Sequence, residues 1–284
     1  KNAINKKQLF VKNVPDGSDL IFISEYLKKS EENKIPLIYI VKDDKSLYRS
    51  VESLKYIMPN YNILDYPSWD CMPYDRISPS SNITAQRLNV LNILKAGENK
   101  DYVIVTTINS IIQKVPSRKE LNSSFFEIKK NETHDISEFV IKLNNYGYKR
   151  VEIVLDIGDY ALRGGIIDIW PPLNKSPVRL DFFGDVIEDC RLFDPVSQLS
   201  NENIKNLKVS PVNEFLLNEY SIDLFKNKFR EAFGSVTEKD YIFESISKGI
   251  YIPGTEVYLP LFYNKMESIF NYLNEAIIFF QTNL

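Results

Sequence analysis

The chain has 284 residues, 44% apolar and 26% charged, the balance of an ordinary globular protein with room for two or three compact units. Its 35 Lys and Arg against 38 Asp and Glu leave a net charge of −3, which argues against a protein that works chiefly by gripping nucleic acid through phosphates. Two isolated cysteines, Cys71 and Cys190, exclude a disulfide framework and suggest a reducing compartment. The longest apolar runs are strand-sized, so a cytoplasmic protein without a membrane partner is expected. A start at Lys1 without methionine suggests an excised fragment of something larger.

Residues 1–121 read as alternating α and β. A short strand is expected at 8–12. Ser18 then caps a helix with Leu20, Ile23 and Leu27 on one stripe. The run 37–41 is a buried-type strand, and Asp43 or Asp44 opens a helix that turns Leu47, Val51, Leu54 and Met58 inward. Another strand covers 61–64. Ser80 or Ser81 caps a helix carrying Ile83, Val90, Leu91 and Leu94. A strand at 102–106 precedes a short helix from Asn109. Such alternation implies a parallel sheet with helices on both faces. In that fold the first strand–turn–helix is where a nucleotide phosphate would lie. Here the turn reads VKNVPDGSDL, with one glycine, no lysine before Ser18, and a proline that removes a donor, so an ATP site is not expected. The proline-rich stretch YPSWDCMPYDRISPSS holds Tyr66, Trp69, Tyr74 and Arg76. These resemble a stacking platform for single-stranded nucleic acid, but one Arg beside two Asp makes a poor electrostatic groove, and packing of the aromatics against the sheet edge is the preferred reading.

Residues 122–209 read as an inserted α+β domain. It has a strand at 125–129, a helix capped by Asp135 that uses Ile136, Phe139, Val140 and Leu143 and stops near Gly147, and a strand at 148–154. Three β-type runs follow, at 163–170, 178–183 and 186–193. In the middle run a period of two sends Val178, Leu180 and Phe182 to one face and Arg179, Asp181 and Phe183 to the other. A cation, an anion and a large aromatic on the water side are what protein–protein contacts select. The blander alternative is an ordinary ion pair with Phe183 tucked under a loop, and patterning alone favours it. Arg163, before Gly164 and Gly165, joins the Arg179 face if odd residues pair with odd, which would also bring Ile167 and Ile169 there; the connection at 171–177 is too long to fix the register. The glycine pair reads as a strand kink.

From 210 to 284 a helix at 221–233 shows Ile222, Phe225 and Phe229, a helix is expected at 265–274, and a strand at 276–280 returns to complete the first sheet. No catalytic constellation is legible. His134 is the only histidine and has no ligand-spaced companion, no G-x-S-x-G elbow exists, and no carboxylate pair stands out.

Three blocks carry a family resemblance: YPSWDCMPYDRISPSSNITAQRLNVLNIL at 66–94, GYKRVEIVLDIGDYALRGGIIDIWPPLNKSPVRLDFFGDVIEDCRLFD at 147–194, and SKGIYIPGTEVYLPLFY at 247–263. Together they resemble the N-terminal region of the bacterial transcription-repair coupling factors (Mfd), itself similar to the excision-repair protein UvrB. The resemblance implies a degenerate helicase-like (RecA-type) parallel-sheet α/β domain interrupted by the inserted domain. It implies that the insert binds UvrA, with Arg163, Arg179, Asp181 and Phe183 at the family's interface positions. No cofactor is implied for this region; ATP and magnesium belong to an ATP-dependent translocase motor expected outside the chain, as do the sites for RNA polymerase and DNA. Another domain of the intact protein is expected to mask the binding face. Departures are the absent phosphate-loop lysine, a short proline-rich loop where UvrB-like proteins insert a damage-clamping hairpin, and Val186 where the pattern has an acid. The reading is a non-enzymatic module that recruits UvrA; the alternative is a nucleic-acid-binding or residual nucleotide-binding helicase-like module.

Overall fold

In chain order the elements begin with α1 (Ser18–Lys29), β1 (Leu37–Val41), α2 (Asp44–Ile57), β2 (Asn62–Tyr66), α3 (Ser81–Ala96), β3 (Tyr102–Thr107), α4 (Ile108–Ile112) and β4 (Val115–Pro116). The middle holds β5 (Phe126–Lys129), α5 (Ile136–Asn145), β6 (Lys149–Arg150), β7 (Asp159–Arg163), β8 (Ile166–Ile169), β9 (Val178–Phe183), β10 (Val186–Phe193), β11 (Ser200–Asn203) and β12 (Asn206–Val209). Then come α6 (Glu219–Phe233), α7 (Tyr241–Ser247), β13 (Met266–Glu267) and β14 (Ile277–Phe280), with 3-10 helices at Thr255–Leu261 and Ile269–Tyr272. The structure, a computed structural model, describes residues 14–15, 17–29, 35–72, 75–97, 102–121, 125–234 and 240–281. The expected strand at 8–12 and much of the turn after it lie outside these residues. The chain divides into two compact units, residues 1–65, 99–108 and 275–284 in one and 66–98 and 109–274 in the other.

The first unit is built on a sheet of order β14-β1-β3-β2, in which β14 and β3 both run parallel to β1. Residues 276–280 therefore do return to the opening sheet. All five residues of β1 are buried, as a central parallel strand requires. Helices α1 and α2 cover one side of it, bringing Leu20, Ile23, Leu47, Val51 and Leu54 against Leu37, Tyr39 and Val103. Asp43 starts α2, its carboxylate accepting from the Ser46 N–H at 2.8 Å.

The second unit carries a six-stranded sheet of order β11-β10-β9-β8-β7-β6, antiparallel except between β6 and β7. One face packs on α5 and on the β5–β12 ribbon, burying Phe139, Leu143, Ile167, Val178, Leu180 and Ile187. Asp135 caps α5, accepting from the Glu138 N–H at 2.9 Å. A separate cluster joins α6, α7 and the 255–261 turn, where the Phe215 and Phe262 rings stack 4.2 Å apart.

Four expectations are corrected. The run 163–170 is two strands, not one: Gly164 adopts φ +60° and Gly165 lies so close to the Phe182 carbonyl that a Cβ there would come within 2.7 Å of its oxygen. The glycine pair is thus a hairpin turn rather than a kink. The register pairs odd with even, Ile166 opposite Asp181 and Asp168 opposite Arg179, so Ile167 and Ile169 turn into the core. The strand expected at 148–154 shortens to Lys149–Arg150, which pairs in parallel with Asp159 and Tyr160; the ladder to β7 stops at that pair. The helix expected at 265–274 is a short strand and a 3-10 turn. There Met266 and Glu267 pair with β4, and Ser268 forms a capping box with Asn271, which overrides the helical spacing of the apolar residues.

Candidate functional site

The outward face of the six-stranded sheet is where the chemistry-bearing side chains converge. Antiparallel pairing sets Ala161, Asp168, Arg179 and Arg191 in one row across β7 to β10, and Arg163, Ile166, Asp181 and Asp189 in the next. The four residues singled out by sequence, Arg163, Arg179, Asp181 and Phe183, do share this face, although the register that unites them is not the odd-with-odd pairing.

Their environments differ sharply. Asp168, whose side chain is only 1% exposed, anchors the centre. Arg179 grips it with a two-pronged contact, Nε to Oδ1 at 2.7 Å and Nη2 to Oδ2 at 2.9 Å. Such forked charge-assisted bonds fix a guanidinium in a plane. The same guanidinium lies 4.8 Å above the buried Phe193 ring and donates through Nη1 to the Gln198 carbonyl at 3.3 Å. The Asp168 hydrogen bonds hold Arg179 protonated above the ordinary guanidinium range. Its side chain is 17% exposed, so it is largely committed inside its own domain. Arg163 also donates to Asp168 Oδ2, through Nη2, yet its side chain is 47% exposed.

Asp181 has a different partner. A bulge after Ile187 sets Asp189 directly opposite Asp181, and Arg191 donates to Asp181 while its Nε lies 3.6 Å from Asp189. Lys130 adds a contact to Asp189 at 3.3 Å. Two facing carboxylates would repel, and Arg191 is what makes the pairing tolerable. Phe183 has no such cover: it is 74% exposed at the end of β9, with Val186 opposite it and Ile166 also exposed. The three form an apolar tip beside Arg163, between the Gly164–Gly165 and Gly184–Asp185 turns.

Sequence reasoning missed Asp168, Arg191, Ile166 and Val186. The signal for Asp168 was present: an acid between Ile167 and Ile169 must point away from the core those isoleucines enter. Arg191 faces Arg179 across the strands only because of the bulge, which no pattern announces.

The other candidates resolve differently. Tyr66 is fully buried, and Trp69 Nε1 donates to Glu214 Oε1 at 2.9 Å, so these aromatics pack the loop and offer no stacking platform; Tyr74 lies outside the described residues and Arg76 is exposed. Arg87 reaches the same Glu214 oxygen at 2.5 Å, with both side chains buried, and stacks on Tyr66. His134 pairs with Glu132 at 3.3 Å, and its backbone N–H donates to the Asp185 carbonyl. Among the described residues no group of three His, Cys, Asp or Glu is placed to hold a metal, and no helix is long and apolar enough to cross a membrane.

Comparison with known proteins covers the segment that carries this face. Residues 126–215, which hold the whole six-stranded sheet, match the family described as UvrB interaction domain. Over 94% of its length the chain is 33% identical to a transcription-repair-coupling factor of Haemophilus influenzae. It is 28% identical to that of Escherichia coli over 86%, and 28% identical to that of Rickettsia bellii over 91%. The chain is a homologue of the UvrB-like region of the transcription-repair coupling factors. It spans 23%, 21% and 23% of the length of these three relatives. In this homologue the family-matched segment and the outward-facing cluster coincide.

Proposed function

We propose that this chain is a docking module that recruits the damage-recognition ATPase UvrA to transcription-coupled excision repair. The outward face of β7 to β10 is the contact surface. Phe183 is the apolar anchor, Arg163 the accessible cation, and Arg179 and Asp181 hold the surface in shape around them. The observation that carries the reading is the exposure of Phe183 beside guanidiniums already fixed by Asp168. A large exposed aromatic on a rigid strand next to an arginine loses little conformational freedom on binding, the property of an interface anchor.

The face does not suit nucleic acid. Arg163, Arg179 and Arg191 are interleaved there with Asp168, Asp181 and Asp189, so the face offers phosphates no extended positive field. The proposed module contributes binding rather than catalysis. ATP hydrolysis with magnesium, and contacts to RNA polymerase and DNA, are assigned to parts of the intact protein outside this chain. One of those parts is proposed to mask the face until repair is needed, and the setting is the cytoplasm. Titration of the chain with purified UvrA by calorimetry tests the proposal: saturable binding is expected, and none at micromolar protein would overturn it.

A further inference from the structure

We infer that Asp168 is a positioning residue for the docking face, holding Arg163 and Arg179 in the orientation that a carboxylate-bearing partner reads. The inference rests on the docking reading and deepens it.

Asp168 lies in the floor of the sheet, directly opposite Arg179 on β9 and Ala161 on β7. The small side chain of Ala161 leaves the carboxylate open toward both arginines. Both oxygens are engaged. Oδ1 accepts from Arg179 Nε, while Oδ2 accepts from Arg179 Nη2 and Arg163 Nη2. A buried carboxylate is stable only when its oxygens are satisfied in this manner. The consequence for the surface is electrostatic as well as geometric. Two guanidiniums share one carboxylate, so the Asp168 cluster keeps one positive charge. The Arg191 cluster, by contrast, is closed by Asp181, Asp189 and Lys130. The unmatched charge emerges at Arg163, which commits one amino group to Asp168 and remains 47% exposed. Next to it stands the apolar tip of Ile166, Phe183 and Val186. The partner surface that fits is therefore a carboxylate bordering an apolar socket.

Two roles for Asp168 predict opposite results. If it only competed with the partner for the arginines, removing its charge would tighten binding. If it positions them, binding weakens, because the guanidiniums lose the plane in which their free N–H groups face outward. The test measures UvrA affinity of the whole chain carrying Asp168→Asn, and of Asp168→Glu, which keeps the charge but moves the carboxylate by one methylene. Both are expected to lose about tenfold or more. In an Arg163→Gln background the further loss is expected to shrink to less than about threefold, because the orientation of Arg163 no longer matters. Circular dichroism establishes folding of each variant; if Asp168→Asn does not fold, the Asp168→Glu cycle with Arg163→Gln decides alone. Unchanged or tighter binding, or a loss of equal size in the Arg163→Gln background, overturns the inference and leaves the docking reading standing. Failure of the unsubstituted chain to bind UvrA overturns both.

Discussion

Phe183→Ala separates the docking surface from the fold more cleanly than any other change. The ring is 74% exposed, so truncation removes little buried area from the free protein, and stability should change by no more than about 0.5 kcal/mol. Bound, the same ring would be covered. Full burial of a Phe side chain is worth about 1.5–3 kcal/mol, and roughly three quarters of that is still available in the free chain. The expected loss is therefore about 1–2 kcal/mol of binding free energy, or about five- to thirtyfold in Kd for UvrA. Isothermal titration calorimetry reads the affinity, and a thermal melt of the same samples reads the fold. An affinity within twofold of the unsubstituted chain would refute the anchor role, whatever happened to the melt. A large drop in melting temperature would show instead that Phe183 is structural.

Three other outcomes follow from the second unit. Arg87→Met strands the buried Glu214 carboxylate and should lower unfolding free energy by about 3–5 kcal/mol in urea, with a smaller loss when Glu214→Leu is added; equal losses would refute the pairing. Gly165→Ala drives a Cβ toward the Phe182 carbonyl oxygen and should cost about 1–3 kcal/mol, read by the same titration, because β9 cannot move without disturbing Arg179 and Asp181. Glu120 provides a pH test. Partial burial alone would raise its pKa, but the N–H groups of Lys265 and Asn264, the Asn264 amide and the Ser117 hydroxyl together hold it below the usual value. A carboxylate depressed in the folded state stabilises above its unfolded pKa, and that stability disappears as pH falls through the folded value. The gap between the chain and Glu120→Gln should be widest at neutral pH and narrow only as pH falls below the ordinary carboxylate range; a gap that does not change with pH would refute the assignment.

Much of this was legible because period and burial agree. The alternation in 178–183 placed Arg179, Asp181 and Phe183 on one face without any knowledge of neighbours, since a strand buried on one side has only one acceptable phase. The apolar run at 37–41 likewise announced a central strand. What failed depended on partners distant in sequence. The ladder beside 148–154 stops at the Arg150–Tyr160 pair although β7 runs on to Arg163, a limit that no pattern within 148–154 announces. Residues 265–274 have helical spacing, but Glu120 and β4 hold their start in an extended form. The Gly164–Gly165 turn was misread because the strand before it, DYALR, has charged ends and only a short apolar run, so nothing in the pattern marked a strand ending at Arg163. For the site, alternation identified which residues face outward but not which of them pair. Asp168 decides the matter, and its importance appears only when Arg163 and Arg179 arrive from two different strands.

That pairing divides the labour on the face. Arg179, Asp181, Asp189 and Arg191 have their partners before any docking begins, so a bound protein would exchange little energy with them. The partly exposed pairs among them, Arg191 with Asp181 and Asp189, are worth about 0–1 kcal/mol, too little to power an interface. The apolar tip, by contrast, gains its full value only on being covered, and Arg163 keeps donors open to a partner. Affinity should then reside in Ile166, Phe183 and Val186, while orientation and choice of partner reside in the arginine that Asp168 presents. Val186, half-exposed and directly opposite Phe183, extends the apolar contact on which that affinity rests.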